Sequence, residues 1–313
     1  WFAQKTGNPS VLWSEKRFLE RDNFDRFKGI RELPALMIWG KNIPLNNITE
    51  PKETFWMGQG PNPVAMMLSD WSEQAVYMGF KAGSPSVNHG HMDIGSFVME
   101  ADGRRWATDL GSQNYNSLES LGMKIFGKGQ DAERWTIFRM NTFSHNVLII
   151  DGEQQRVDGY AKIDKYSDDE NFMFAVSDIS SVYSGQLKSQ KRGVALKDLS
   201  YTIVRDEFET LDKSTKIRWN MVTEATVELQ TDGAKLINGG KVLFLKIQGP
   251  ENIEMKTWST APTNNYDAPN PGTVMVGFEC EIPANTKESF EVLFVPSAEE
   301  ADAHFLNKTL AEW

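Results

Sequence analysis

The sequence predicts a mainly β protein, one large antiparallel β-sandwich preceded by a short helical segment. Runs rich in β-branched and aromatic residues recur from residue 64 almost to the end, and turn sequences such as Asp102-Gly103, Asp151-Gly152, Asn238-Gly239-Gly240 and Pro271-Gly272 separate them. Apolar residues at helical spacing are confined to the first forty positions or so.

In chain order, residues 10–19 carry a helical pattern, and Pro34 stands in the first turn of a second short helix over 34–39. A Pro/Gly/Asn-rich connector follows over 42–63. Strands are then expected at 64–68, 74–80, 96–100, 147–151, 171–176, 201–208, 216–222, 241–247, 273–280 and 289–295. A short acidic helix over 298–310 is expected to close the chain. The domain reading is therefore a helical segment with connector over 1–60 and a sandwich over 61–313.

Composition narrows the function. The 313 residues are 40% hydrophobic, enough for a substantial core. A formal net charge of -10 and a pI near 5.1 argue against a general nucleic-acid or anionic-membrane binder. The single cysteine, Cys280, excludes an internal disulfide framework and a thiolate metal cluster, and it sits in an alternating run that predicts a packed strand residue. No apolar run reaches the ~18 residues of a membrane span. The chain opens at Trp1 without a basic n-region or an apolar h-region, so a signal or preceding domain is expected to have been removed.

Histidine is scarce and concentrated. Three of the four stand in Asn88-His89-Gly90-His91-Met92-Asp93 and Ser144-His145-Asn146. In an extended strand a His-x-His pair puts both imidazoles on one face, which Asp93 continues. Segments 94–101 and 104–110 flank Asp102-Gly103, a favoured hairpin turn because both residues tolerate positive φ. The hairpin returns Asp109 toward His91, but a strict two-residue turn would set Asp109 opposite Ser96, on the wrong face. A three-residue loop or a bulge near Gly95 is therefore expected to correct the parity. His91, Asp109 and His145 would then converge as two nitrogens and one oxygen around a divalent metal, zinc being the ion expected for that set. Asp93 is the rival oxygen ligand, and Asp109 could instead cap nearby backbone donors.

These residues carry a resemblance. The run Asn88-His89-Gly90-His91-Met92-Asp93-Ile94-Gly95-Ser96-Phe97, then Trp106-Ala107-Thr108-Asp109-Leu110-Gly111, then Arg139-Met140-Asn141-Thr142-Phe143-Ser144-His145-Asn146 and Ile150-Asp151-Gly152 resemble the C-terminal part of heparinase II/III-like polysaccharide lyases. The resemblance is densest over about residues 60–165. It implies an α/α toroid followed by an antiparallel, supersandwich-like domain, with residues 1–60 as the last piece of the toroid and the active site in the cleft between the two. It also implies that His91, Asp109 and His145 hold the metal, while His89 faces the substrate. The usual toroid tyrosine and its asparagine or histidine partner have no counterpart in so short a helical segment.

The implied reaction is β-elimination on a uronic-acid polymer: the C5 proton leaves, the C4 oxygen departs, and an unsaturated sugar remains. The proton becomes acidic enough only when the neighbouring carboxylate is neutralised. His89 suits that task; Asn88 and Arg139 are candidate substrate-binding residues, Arg104 and Arg105 further cations, and Tyr115 a candidate catalytic tyrosine with packing as its alternative. Trp106 and Trp135 read as core. The expected partner is an acidic polysaccharide or oligosaccharide, with no nucleic acid, no membrane span, packing on the protein's own toroid, and a homodimer allowed; the expected location is periplasmic or secreted. Two other readings stay open, a carbohydrate-binding sandwich with a structural metal and a metal-dependent glycan hydrolase.

Overall fold

The computed structural model describes residues 1–19, 31–299 and 303–313. The chain divides into two compact units, Trp1–Thr54 and Phe55–Trp313. In the first, α1 (Phe2–Thr6), α2 (Trp13–Leu19) and α3 (Leu33–Gly40) are short helices. The helix expected over 10–19 is split: Asn8 caps a 3-10 turn, Pro9–Leu12, before α2 begins. The Lys16 ammonium ties α2 to the Ile48 carbonyl at 2.8 Å. No helix among the described residues is long and apolar enough to cross a membrane.

The second unit is built from three antiparallel sheets among the described residues. The first is a meander of β1 (Phe55–Gly58), β2 (Val64–Leu68), β3 (Tyr77–Lys81), β4 (Phe97–Ala101) and β5 (Arg104–Ala107). After β6 (Leu148–Ile150) come β7 (Lys165–Ser167), β8 (Phe172–Asp178), β9 (Leu187–Lys197), β10 (Tyr201–Thr210) and β11 (Thr215–Thr223). The last six are β12 (Thr226–Gln230), β13 (Gly233–Asn238), β14 (Lys241–Gln248), β15 (Glu254–Ser259), β16 (Val274–Ile282) and β17 (Lys287–Pro296). The second sheet has eight strands in the order β12-β13-β14-β17-β10-β9-β8-β7, and the third has four, β15-β16-β11-β6.

The five- and four-stranded sheets meet at a bridge between Thr108 and Val222, whose N–H···O bond is 2.9 Å. One core cluster joins all three sheets through alternating inward residues. Trp219 stacks on Phe278 at 5.7 Å, and Phe97 meets Phe294 edge-on at 5.4 Å. Cys280 is buried on β16, as its alternating run predicts.

Several elements differ from expectation, each for a physical reason. The 11-residue β9 escapes the strand pattern because its inward positions include the polar Gln190 and Arg192, both buried. β1 lies inside the expected connector, and β12 and β15 are largely exposed strands without an apolar run. The closing helix is absent: Ser297–Glu299 is a 3-10 turn, residues 300–302 lie outside the described ones, and 303–313 form an irregular strap. Ala303, Leu310 and Trp313 bury against Phe174, Ala195 and Ile203. Carboxylates take the amides that a helix would have used internally: Glu291 accepts from Leu306 N–H at 2.6 Å and Glu207 from Leu310 N–H at 2.8 Å.

A buried ion pair crosses this core. Arg192 on β9 and Asp206 on β10, 1% and 0% exposed, make two bonds of 2.8 Å. The second edge of the guanidinium spans the sandwich to the carbonyls of Gly95 (2.9 Å) and Asn146 (2.8 Å). Asp206→Ala leaves a buried cation unpaired and should lower unfolding free energy by about 3–5 kcal/mol in urea titrations. Arg192→Met/Asp206→Leu should recover part of that loss and still fall short of the parent, because the Gly95 and Asn146 carbonyls lose their donor.

Candidate active site

The β4–β5 hairpin turns on Asp102 and Gly103, with φ of 56° and 69°, the left-handed pair that this turn requires. Pairing runs Ala101↔Arg104 and Glu100↔Arg105, then slips to Met99↔Ala107. The expected parity correction is thus a bulge, but it sits at Trp106 and not near Gly95. Trp106 is fully buried there, its indole N–H donating to the Ala101 carbonyl at 3.0 Å. The extra residue carries Asp109 to the other face, where its two carboxylate oxygens divide: one accepts from Gly111 N–H at 2.7 Å, the other meets His145 Nδ1 at 2.8 Å. Backbone capping and clustering, posed as alternatives, coexist.

His145 is 1% exposed and follows a 3-10 turn, Thr142–Ser144, that Asn141 caps. The next residue, Asn146, is equally buried and stitches three strands: its amide N–H groups donate to the carbonyls of Phe97 (2.7 Å) and Thr108 (2.9 Å), and its oxygen accepts from Val222 N–H (2.7 Å). Gln155 clamps the other approach, pairing with both the N–H and the C=O of Ile94 at 2.9 and 2.8 Å. Two buried amides therefore hold the segments that carry His145 and Asp93.

Asp93, Asp109 and His145 offer ligand atoms within 4.8 Å of one another. Asp93, however, is held by the Lys81 ammonium through both oxygens, at 2.6 and 2.7 Å. The His91 ring lies 5.3 Å from that of His145. Burial and then the neighbouring His145 push the His91 imidazole down to about 4, which keeps its nitrogen lone pair available. Burial opposes both charges of the Asp109–His145 pair, but their mutual attraction and hydrogen bond outweigh it, so Asp109 is held low and His145 high. The buried His145 Nε2 has no hydrogen-bond partner among the described residues. An orphaned imidazole nitrogen, a neutral histidine and a partly open carboxylate are a donor set that suits a divalent ion such as zinc.

His89 and His91 do not share a strand face. Residues 88–92 form turns, His89 has a left-handed φ of 58°, and a Cβ on buried Gly90 would come within 2.6 Å of the Pro85 carbonyl. This turn sends the imidazoles to different partners: His91 to the cluster, and exposed His89 to Tyr115, whose hydroxyl lies 3.3 Å from Nδ1 with the rings stacked. Tyr115 starts a short helix, α4 (Tyr115–Glu119), which Asn114 caps. Asn88 is exposed beside them.

The arginines are placed differently from one another. Arg139 ties loops together through Asn270 (2.8 Å) and the carbonyls of Pro269 (3.0 Å) and Ser112 (3.1 Å). Arg105 pairs with Glu100, and the Arg104 guanidinium lies against Gly239, so both belong to the hairpin tip. Trp106 and Trp135 are core. Lys81, Arg134, Gln155 and Arg192 escaped sequence reasoning, since each lies outside the histidine motifs; only the adjacency of Asn146 to His145 offered a local signal.

A family model described as heparinase II/III-like, C-terminal, matches residues 65–276. The chain belongs to that family. No curated protein matches it. Among solved structures, the heparinase III BT4657 gene product is similar at 19% identity and TM-score 0.63, over 96% of this chain and 44% of that one. A heparan sulfate lyase HepC from Pedobacter heparinus is similar at 14% identity and TM-score 0.62, over 92% and 42%. A further heparinase III gives 13% identity and 0.61, over 79% and 37%. At these identities the likeness shows the fold, and the chain spans less than half the length of each. In this heparinase-like sandwich, Asn146→Ala should cost on the order of 3 kcal/mol, because two carbonyls and one N–H lose their partner. Hydrogen exchange should quicken selectively at Thr108 and Val222, the sheet seam.

Proposed function

We propose that the chain forms the sandwich side of a polysaccharide lyase site that cleaves uronic-acid-containing polymers by β-elimination, with one divalent ion, zinc, held by His91, Asp109 and His145. The observation that carries this reading is the arrangement of an exposed His89–Tyr115 pair beside a buried His/Asp/His group, in a member of a polysaccharide lyase family. Relatives named for heparin and heparan sulfate chemistry make a glycosaminoglycan a suitable first substrate. A secreted or periplasmic location agrees with such polymers.

In the elimination, the C5–H electron pair becomes the C4=C5 double bond, the C5 proton passes to a base, and the C4–O bond breaks toward the oxygen, which takes up a proton. Charge grows on the uronate carboxylate as C5 is deprotonated, so a donor fixed against that carboxylate lowers the barrier. His89 is exposed, adjacent to Asn88, and suits this role; Tyr115 is the neighbouring phenol through which a proton can move. Phe126 is 57% exposed and packs edge-on against Tyr115 at 5.8 Å, offering an aromatic face to a sugar ring. Arg139, held by Asn270, can present its outer edge to a sulfate or carboxylate. The bound ion, by crosslinking three segments, holds the turn that presents His89.

The test uses the intact protein and mass spectrometry of products from heparan sulfate, chondroitin sulfate and alginate. Elimination gives unsaturated ends; hydrolysis gives saturated ones, and a binding module gives none, either of which contradicts the proposal. His89→Ala should keep its metal and melting temperature yet lose on the order of a hundredfold in turnover. His91→Ala should lose metal first, with melting temperature and activity following.

A further inference from the structure

Arg134 is 4% exposed, in the 3-10 turn Glu133–Thr136, and no carboxylate among the described residues pairs with it. Its guanidinium stacks on the Trp135 ring at 4.5 Å, donates to the Gly90 carbonyl at 2.6 Å, and hydrogen-bonds the Tyr115 hydroxyl. Its Nε is buried without a partner among the described residues. Burying a cation with so little compensation is costly, and the groups that it does hold are the peptide between the two motif histidines and the phenol beside His89.

Proton counting gives this contact a consequence. A guanidinium only donates, so the Tyr115 oxygen accepts from Arg134. The single Tyr115 hydroxyl hydrogen is then free to point at His89 Nδ1, 3.3 Å away. If Nδ1 accepts, the neutral imidazole carries its proton on Nε2. We propose that Arg134 is a positioning residue which, through Tyr115, locks His89 in the Nε2–H tautomer, so that His89 meets the uronate carboxylate as a hydrogen-bond donor and does not take the C5 proton. The same guanidinium fixes the Gly90 carbonyl and with it the left-handed turn at His89. The carboxylate part of this inference rests on the lyase reading; the tautomer part does not.

The tautomer is read directly by two-bond proton–nitrogen correlation NMR on the intact, zinc-loaded, nitrogen-15-labelled protein at mildly alkaline pH, with His89 assigned by its disappearance in His89→Ala. The wild type should show the Nε2–H pattern. Arg134→Met and Tyr115→Phe should each move His89 toward averaged tautomers, whereas Arg134→Lys, which still donates, should restore part of the wild-type pattern. Melting temperature and metal content report folding, and Tyr115→Phe carries the test alone if Arg134→Met does not fold. On heparan sulfate, Arg134→Met should lower kcat about 10–100-fold, as loss of an orienting partner does, with a smaller change in KM. Adding Tyr115→Phe should cost little more, since both act on one imidazole. An Nδ1–H pattern in the wild type, or an unchanged pattern in both single variants, overturns the proposal. The Nε2–H pattern without unsaturated product would leave the lock standing and overturn the carboxylate role with the lyase reading.

Discussion

The buried Arg192–Asp206 pair is the interaction on which the site depends. It joins neighbouring strands of the eight-stranded sheet, and its free edge reaches across the core to the Gly95 and Asn146 carbonyls. Those carbonyls belong to the two segments that carry Asp93 and His145. A hydrophobic replacement of equal volume could fill the same space, but it could not hold two carbonyls at fixed depth. The pair is best understood as specifying where the loops end, beyond any contribution to stability.

Asn146 extends that constraint to the seam between the other two sheets. Strands β4, β5 and β11 all bond to its side chain, and Arg192 holds its backbone. His145 precedes it by one residue, and Asp109 follows the Thr108 that it holds. The bulge at Trp106 then turns Asp109 toward His145. On the opposite approach, Gln155 fixes Ile94, and Lys81 occupies Asp93. The polar cluster is therefore assembled by buried groups that are themselves fully engaged, the condition under which a buried polar network gives one geometry.

Much of this was legible in the sequence, and the remainder was hidden for identifiable reasons. Alternating apolar strands and left-handed turn pairs announce the sandwich, and the spacing of His91, Asp109 and His145 announces the cluster. The parity argument required a bulge, which the structure contains at Trp106. The assumption that His89-Gly90-His91 is extended failed, because Gly90 allows a turn that a period-two reading cannot see. β9 was invisible because function-bearing polar residues occupy its inward positions. The closing strap read as a helix because Glu207 and Glu291, distant in sequence, supply the acceptors that free its amides from helical pairing. Local pattern finds elements that satisfy themselves, and misses those satisfied from afar.

The central claim is that this buried scaffold presents His91, Asp109 and His145 to one divalent ion while Lys81 keeps Asp93 out of the ligand set. The most direct measurement is an anomalous-scattering map, recorded at the zinc edge, from crystals of the intact protein grown with zinc. The account predicts a single peak in this cluster touching His91, Asp109 and His145, with Asp93 still on Lys81. A peak bound by Asp93 in place of His91, or no peak between Asp109 and His145, would contradict it.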